Sequence, residues 1–120
     1  MYEAKEPLSN IARFREKALT MNLVVLFFAG AFLCNSIPHL SAGLQGAAFP
    51  TPFAKPRGVG NSSPFLNFLW GSFNLFVGIA LVSLCPIAVG PNLDCLTIIV
   101  GFLALGTYLS RHFGKVRAGR

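Results

Sequence analysis

A chain of 120 residues that is 53% hydrophobic and 12% charged falls far below the roughly 25% charged residues of an ordinary soluble domain, which excludes a water-exposed globule. The net charge of +6 is gathered at the two ends and in one loop, and between Thr20 and Ser110 only Lys55, Arg57 and Asp94 are charged. No stretch interleaves basic with aromatic side chains on a soluble scaffold, so nucleic acid is set aside as a partner, and the length accommodates one membrane domain.

The first segment holds Glu3, Lys5, Glu6, Arg13, Arg15, Glu16 and Lys17. In "SNIARFREKALT", Ile11, Phe14, Ala18 and Leu19 recur at helical spacing, with Arg13, Arg15 and Lys17 elsewhere on the wheel and Ser9 placed to cap. This predicts an interfacial amphipathic helix over residues 9–20, its basic side chains reaching anionic lipid headgroups. It runs into a first span over 21–37, "MNLVVLFFAGAFLCNSI". The "AGA" at Ala29–Ala31 has the spacing of a cleavage site. The run stays apolar beyond it, however, and the leader carries glutamates, so an uncleaved span is expected.

Residues 38–63 form a Pro- and Gly-rich loop. Pro50, Pro52 and Pro56 exclude a regular helix there and favour extended backbone. Phe49 and Phe53 can dip into the interface, Lys55 and Arg57 face headgroups, and Gly58 and Gly60 permit a turn back. The expectation is an ordered cap over the helices.

The second span covers 64–85, with Pro64 suited to a first helical turn behind Ser62 and Ser63. The third covers 93–110, with Asp94 at the positive helix terminus in a capping role. All three spans fall in the length range that crosses a bilayer. A breaker-rich hairpin, "PIAVGPN", joins the last two, and a basic tail follows at 111–120. The predicted fold is therefore all-α: a bundle of three transmembrane helices with an interfacial N-terminal helix and an irregular loop.

Three spans place the tails on opposite sides of the membrane, yet both tails are basic. Arg111, Lys115, Arg117 and Arg120, joined by Lys55 and Arg57, outweigh Lys5, Arg13, Arg15 and Lys17. This favours the C-terminus inside only weakly.

Asn67, Gly71, Asn74 and Gly78 line one face of the second span at steps of four, three and four. Thr97, Gly101, Ala104 and Tyr108 repeat those steps in the third. Small residues let helix backbones approach, and amides or hydroxyls bond across the contact. The short hairpin therefore predicts a packing seam between spans two and three, built from Gly71, Gly78, Thr97, Gly101 and Ala104.

The sharper alternative gathers Asn35, Pro38, His39, Asn67, Trp70 and Asn74 into a ligand site or a lock on the loop. His39 has three readings: a helix-end histidine bonded to backbone or headgroups, a tie between the 35–38 corner and the loop, or a metal or haem ligand. The last needs a partner, and His112 is the only other imidazole. Two histidines without ligand spacing do not make a metal site, and no acid is placed to orient His39 for catalysis. No catalytic residue, metal site or cofactor is expected. Cys34, Cys85 and Cys95 are odd in number and lack a C-x-x-C spacing, so they read as small buried hydrophobes. No carboxylate lies at mid-membrane depth, which removes the central part of proton-coupled transport.

The pattern "NSIPH", then "FPTPFAKPRGVGNSSP", then Asn67, "LWG" and Asn74 resembles that of small, functionally uncharacterised bacterial integral-membrane proteins. These share an Asn-Ser-x-Pro-His corner, a Phe-Pro loop and a Leu-Trp-Gly helix. The resemblance covers about residues 35–78. It implies a bacterial cytoplasmic membrane, brings no established activity, and points to Asn35, Pro38, His39, Phe49, Pro50, Asn67, Trp70 and Asn74. The expected function is a non-enzymatic accessory or subunit-like membrane protein, associating with itself or with a larger complex. The alternative is a binder or carrier of a small hydrophobic ligand such as a quinone or lipid.

Overall fold

The computed structural model describes residues 5–120. Glu3 lies outside these, as do the side chains of Lys5 and Glu6. Three helices are long and apolar enough to cross a membrane: α1 (Lys5–Leu44), α2 (Pro64–Ser83) and α3 (Leu93–Ala118). The large hydrophobic side chains left exposed, from Leu19 and Val24 through Phe65 and Phe76 to Leu96 and Leu103, are what a bilayer covers. The protein is an all-α membrane bundle.

α1 is one uninterrupted helix of 40 residues, about 60 Å long at 1.5 Å per residue. It is already helical at Lys5, so Ser9 lies inside it rather than at a cap. The break expected at Ile37 is also absent: Pro38 lies within the helix and the loop starts only after Leu44. Proline removes one backbone donor and crowds the carbonyl four residues back. Membrane helices absorb this where neighbouring helices and serine hydroxyls compensate. Here the neighbouring helix does so, because the turn after Pro38 is clamped against α2. A Cβ on Gly43 would lie 2.6 Å from the Phe68 nitrogen, and one on Gly71 at the same distance from that of Leu40. Tertiary packing overrides the local breaker.

α2 starts at Pro64 with Ser63 as its cap, whose side chain accepts from the Leu66 nitrogen at 3.2 Å. At α3 the cap is Asn92, whose Oδ1 accepts from the Cys95 nitrogen at 2.9 Å. Asp94 stands in the first turn, so its expected capping role passes to Asn92. α3 then continues through the expected tail to Ala118.

The predicted seam between α2 and α3 does not form. α1 is central, both other helices pack on it, and α2 and α3 scarcely touch. The buried face of α2 consists of Asn67, Gly71, Asn74 and Gly78, but its partner is α1: Gly71 meets His39 and Leu40, and Gly78 meets Leu33. Gly101, the one buried residue of α3, meets Phe27, while Gly30 meets Ile98 and Phe102. Thr97 bonds back to the Leu93 carbonyl of its own helix, and Ala104 is exposed. The hairpin after α2 passes close to α1 at Asn22, where Cys85 Sγ approaches the backbone oxygen. Short connection length makes two helices sequential neighbours, and the buried glycines decide which helix each one touches.

Candidate functional site

Because α2 and α3 flank α1 without meeting, a groove opens between them with α1 as its floor. It encloses a cavity of about 380 Å³, near the lower end of the range of small-molecule pockets. The floor is Phe28, Ala31, Phe32, Asn35 and His39. Trp70 and Asn74 come from α2, and Leu105, Tyr108, Leu109, His112 and Phe113 from α3. The loop closes the upper end with Pro50, Thr51, Pro52 and Gly58. From Phe28 to His39 the floor runs about 16 Å along α1.

The loop is ordered by hydrogen bonds from every helix. Phe49–Pro50 (β1) and Asn61–Ser62 (β2) pair antiparallel, and the hydroxyls of Thr51 and Ser62 meet at 2.5 Å beneath them. Gly58 adopts a φ of 67°, which glycine tolerates without steric cost, and its carbonyl accepts from His112 Nε2 at 2.7 Å. Arg120 donates to Asn61 Oδ1 at 2.9 Å and to the Val59 carbonyl.

Asn67 is the hub. Fully buried, it donates through Nδ2 to the carbonyls of Phe49 at 2.9 Å, Ser63 at 3.1 Å and Ser62 at 3.3 Å. Its Oδ1 faces Nδ1 of His39 at 2.8 Å. Amide orientation is set by the surrounding network, and here it has one solution, since the reverse would aim Oδ1 at three carbonyl oxygens. Nδ1 of His39 therefore carries the proton and donates. The neutral ring leaves Nε2 as an acceptor, and His39 lines the cavity.

One turn below, Asn35 Nδ2 donates to Asn74 Oδ1 at 2.9 Å, while Asn74 Nδ2 donates to the Trp70 carbonyl at 2.7 Å. The hydrogen bonds of the described residues leave Asn35 Oδ1 unused. Trp70 Nε1 is the one buried side-chain nitrogen or oxygen among the described residues without a partner. Its ring stands edge-on to Phe53 at 5.1 Å and stacks with Phe73 at 5.5 Å.

Of the residues expected from sequence, Asn35, His39, Trp70 and Asn74 line the cavity. Asn67 lies behind His39 and orients it. Pro38 faces away, in a second groove between α1 and α3 with Cys34 and Ile37. Histidine 39 thus acts as the tie to the loop, through Asn67. The α3 wall was missed because the third span was expected to pack on the second, which would have closed the groove. His112 was visible as the second imidazole, but only its position on a helix continuing past Ser110 brings it over the loop. Among the described residues no cluster of three metal-ligating side chains occurs. No family model, curated protein or solved structure matches the chain.

Proposed function

We propose that this chain is an integral membrane protein that binds a small hydrophobic ligand, with its polar end beneath the loop and its apolar body along α1 toward the bilayer centre. The observation that carries this reading is the groove itself. Two helices held apart on a third leave an aromatic-walled cavity with polar atoms at one end only. His39 and Asn35 lie near the loop end of α1, and Phe28, Phe32 and Leu105 lie deeper.

The basic residues of the loop end, Lys55, Arg57, Arg111, Lys115 and Arg117, are exposed and suit anionic headgroups, at about 1 kcal/mol each near the surface. A bacterial cytoplasmic membrane is the proposed location, supported by the resemblance over residues 35–78. The accessory-subunit reading has less support, because the apolar faces a partner would cover are equally suited to lipid.

The test is to purify the protein in nanodiscs and follow Trp70, the chain's single tryptophan, by fluorescence. Native mass spectrometry is run in parallel. A bound amphiphile of defined mass that is lost in Asn74→Leu and Trp70→Phe supports the reading. A protein that carries only bulk lipid, and whose fluorescence no added amphiphile changes saturably, overturns it.

A further inference from the structure

We infer that the groove selects its ligand by a hydrogen-bond donor: it takes a phenolic or hydroquinone ring, and discriminates against the corresponding ether. The inference rests on the groove reading above and goes further, to the chemistry of the headgroup.

At the loop end of the cavity His39 presents an acceptor with no proton of its own, and Asn35 presents a second. Asn67 holds the proton of His39 on Nδ1 because its own nitrogen is committed to three carbonyls, which turns Nε2 into a lone-pair acceptor. Asn74 engages Asn35 through the amide nitrogen, which leaves Oδ1 of Asn35 as a second acceptor. The two residues are four apart on one helix, so they share a face one turn apart. Three donors nearby are spent or sealed, while the Tyr108 hydroxyl and the second N–H of Asn35 remain open to an oxygen lone pair. His112 gives its Nε2–H to Gly58, Thr51 is paired with Ser62, and the Trp70 N–H is buried away from the cavity surface. An ether oxygen can accept from Tyr108 or Asn35 but leaves the His39 lone pair unmet, whereas a ligand hydroxyl can donate to it. The ring follows from the walls, where Phe32, Trp70, Tyr108 and Phe113 offer aromatic faces and edges.

The experiment uses three redox-inert probes on the nanodisc-held protein: 4-hexylphenol, its methyl ether 4-hexylanisole, and 1-octanol. Binding is measured by titration calorimetry with empty nanodiscs subtracted. The expected result is that the phenol binds about tenfold more tightly than the ether, the effect of one hydrogen bond whose acceptor would otherwise stay buried and unpaired. In His39→Phe the phenol loses affinity and the ether does not. Equal binding of phenol and ether overturns donor selection and leaves the groove standing. Octanol matching the phenol overturns the aromatic part and assigns the site to aliphatic hydroxyls such as those of glycerides. Absence of saturable binding by all three overturns the groove reading itself. The wild-type phenol–ether comparison needs no variant, so it decides the question even where His39→Phe does not fold.

Discussion

Along the contact between α1 and α2 two side-chain hydrogen bonds cross, Asn35 to Asn74 and His39 to Asn67, and glycines at 43, 71 and 78 let the helices close around them. Along the contact between α1 and α3 no side-chain hydrogen bond crosses among the described residues, and Gly30 and Gly101 bring backbone against backbone. Lipid tails are as apolar as the side chains, so neither contact draws on a hydrophobic difference between water and core. The first gains direction, because a hydrogen bond between amides weakens steeply off its angle and so fixes rotation and register. The second gains proximity, because dispersion accumulates only when atoms touch. The groove exists where these contacts diverge around α1, and the hydrogen bonds between helices run along its α2 side.

The steric contact should be the easier one to break. Alanine at Gly101 would drive its methyl into the carbonyl of Phe27, and backbone cannot swing aside as a long side chain can. Gly101→Ala should therefore cost at least about 3 kcal/mol, the upper part of the overpacking range, measured by reversible unfolding in mixed micelles. A variant as stable as the parent would mean that α3 is not seated on α1 as described.

The polar contact is sharpened by Asn67→Leu. This removes the ties to the Phe49, Ser62 and Ser63 carbonyls and leaves the His39 N–H buried without a partner, at a cost of about 1–3 kcal/mol. Its signature is local. The loop should loosen, and trypsin should cut after Arg57 at least tenfold faster than in the parent while α1 and α2 remain associated. Asn74→Leu is the milder counterpart. It removes one interhelical bond, a class that averages about 0.6 kcal/mol, so a loss near 1 kcal/mol with unchanged cleavage at Arg57 is expected. Equal proteolysis in both variants would show that Asn67 is no more a hub than Asn74.

The α2 half of this comparison was legible in the sequence, and the α3 half was not. The four residues chosen at steps of four, three and four are the four that α2 buries, because helical periodicity reports a face directly. Periodicity is silent about what the face meets, so Gly71 and Gly78 were assigned to α3 when they pack on α1. Gly30 went unrecognised as a contact because its flanking alanines suggested a cleavage site, although Ala29 is completely buried. Pro38 was read as a helix stop by a local rule that the packing of Gly43 and Gly71 outweighs. With α1 expected to end at Ile37, His39 falls in a loop, so the sequence groups it with Asn67 without showing the bond that joins the two helices. The loop's order was legible from its prolines and aromatics, but its ties to His112 and Arg120 depend on α3 continuing as a helix past Ser110.

The smallest expected effect isolates close approach from helix propensity. Gly114 lies in the same helix as Gly101, and a Cβ there meets nothing within 4 Å. Alanine is favoured over glycine in a helix interior by up to about 1 kcal/mol, and that gain applies equally at both positions. Gly114→Ala should therefore leave stability unchanged or raise it by less than about 1 kcal/mol in the same micelle assay. The gap between the two alanine variants then measures the steric contact alone, since backbone entropy and side-chain chemistry cancel between them. If Gly114→Ala destabilised the protein as much as Gly101→Ala, the loss at Gly101 would belong to α3 as a helix rather than to its seat on α1, and the contrast between the two contacts would fail.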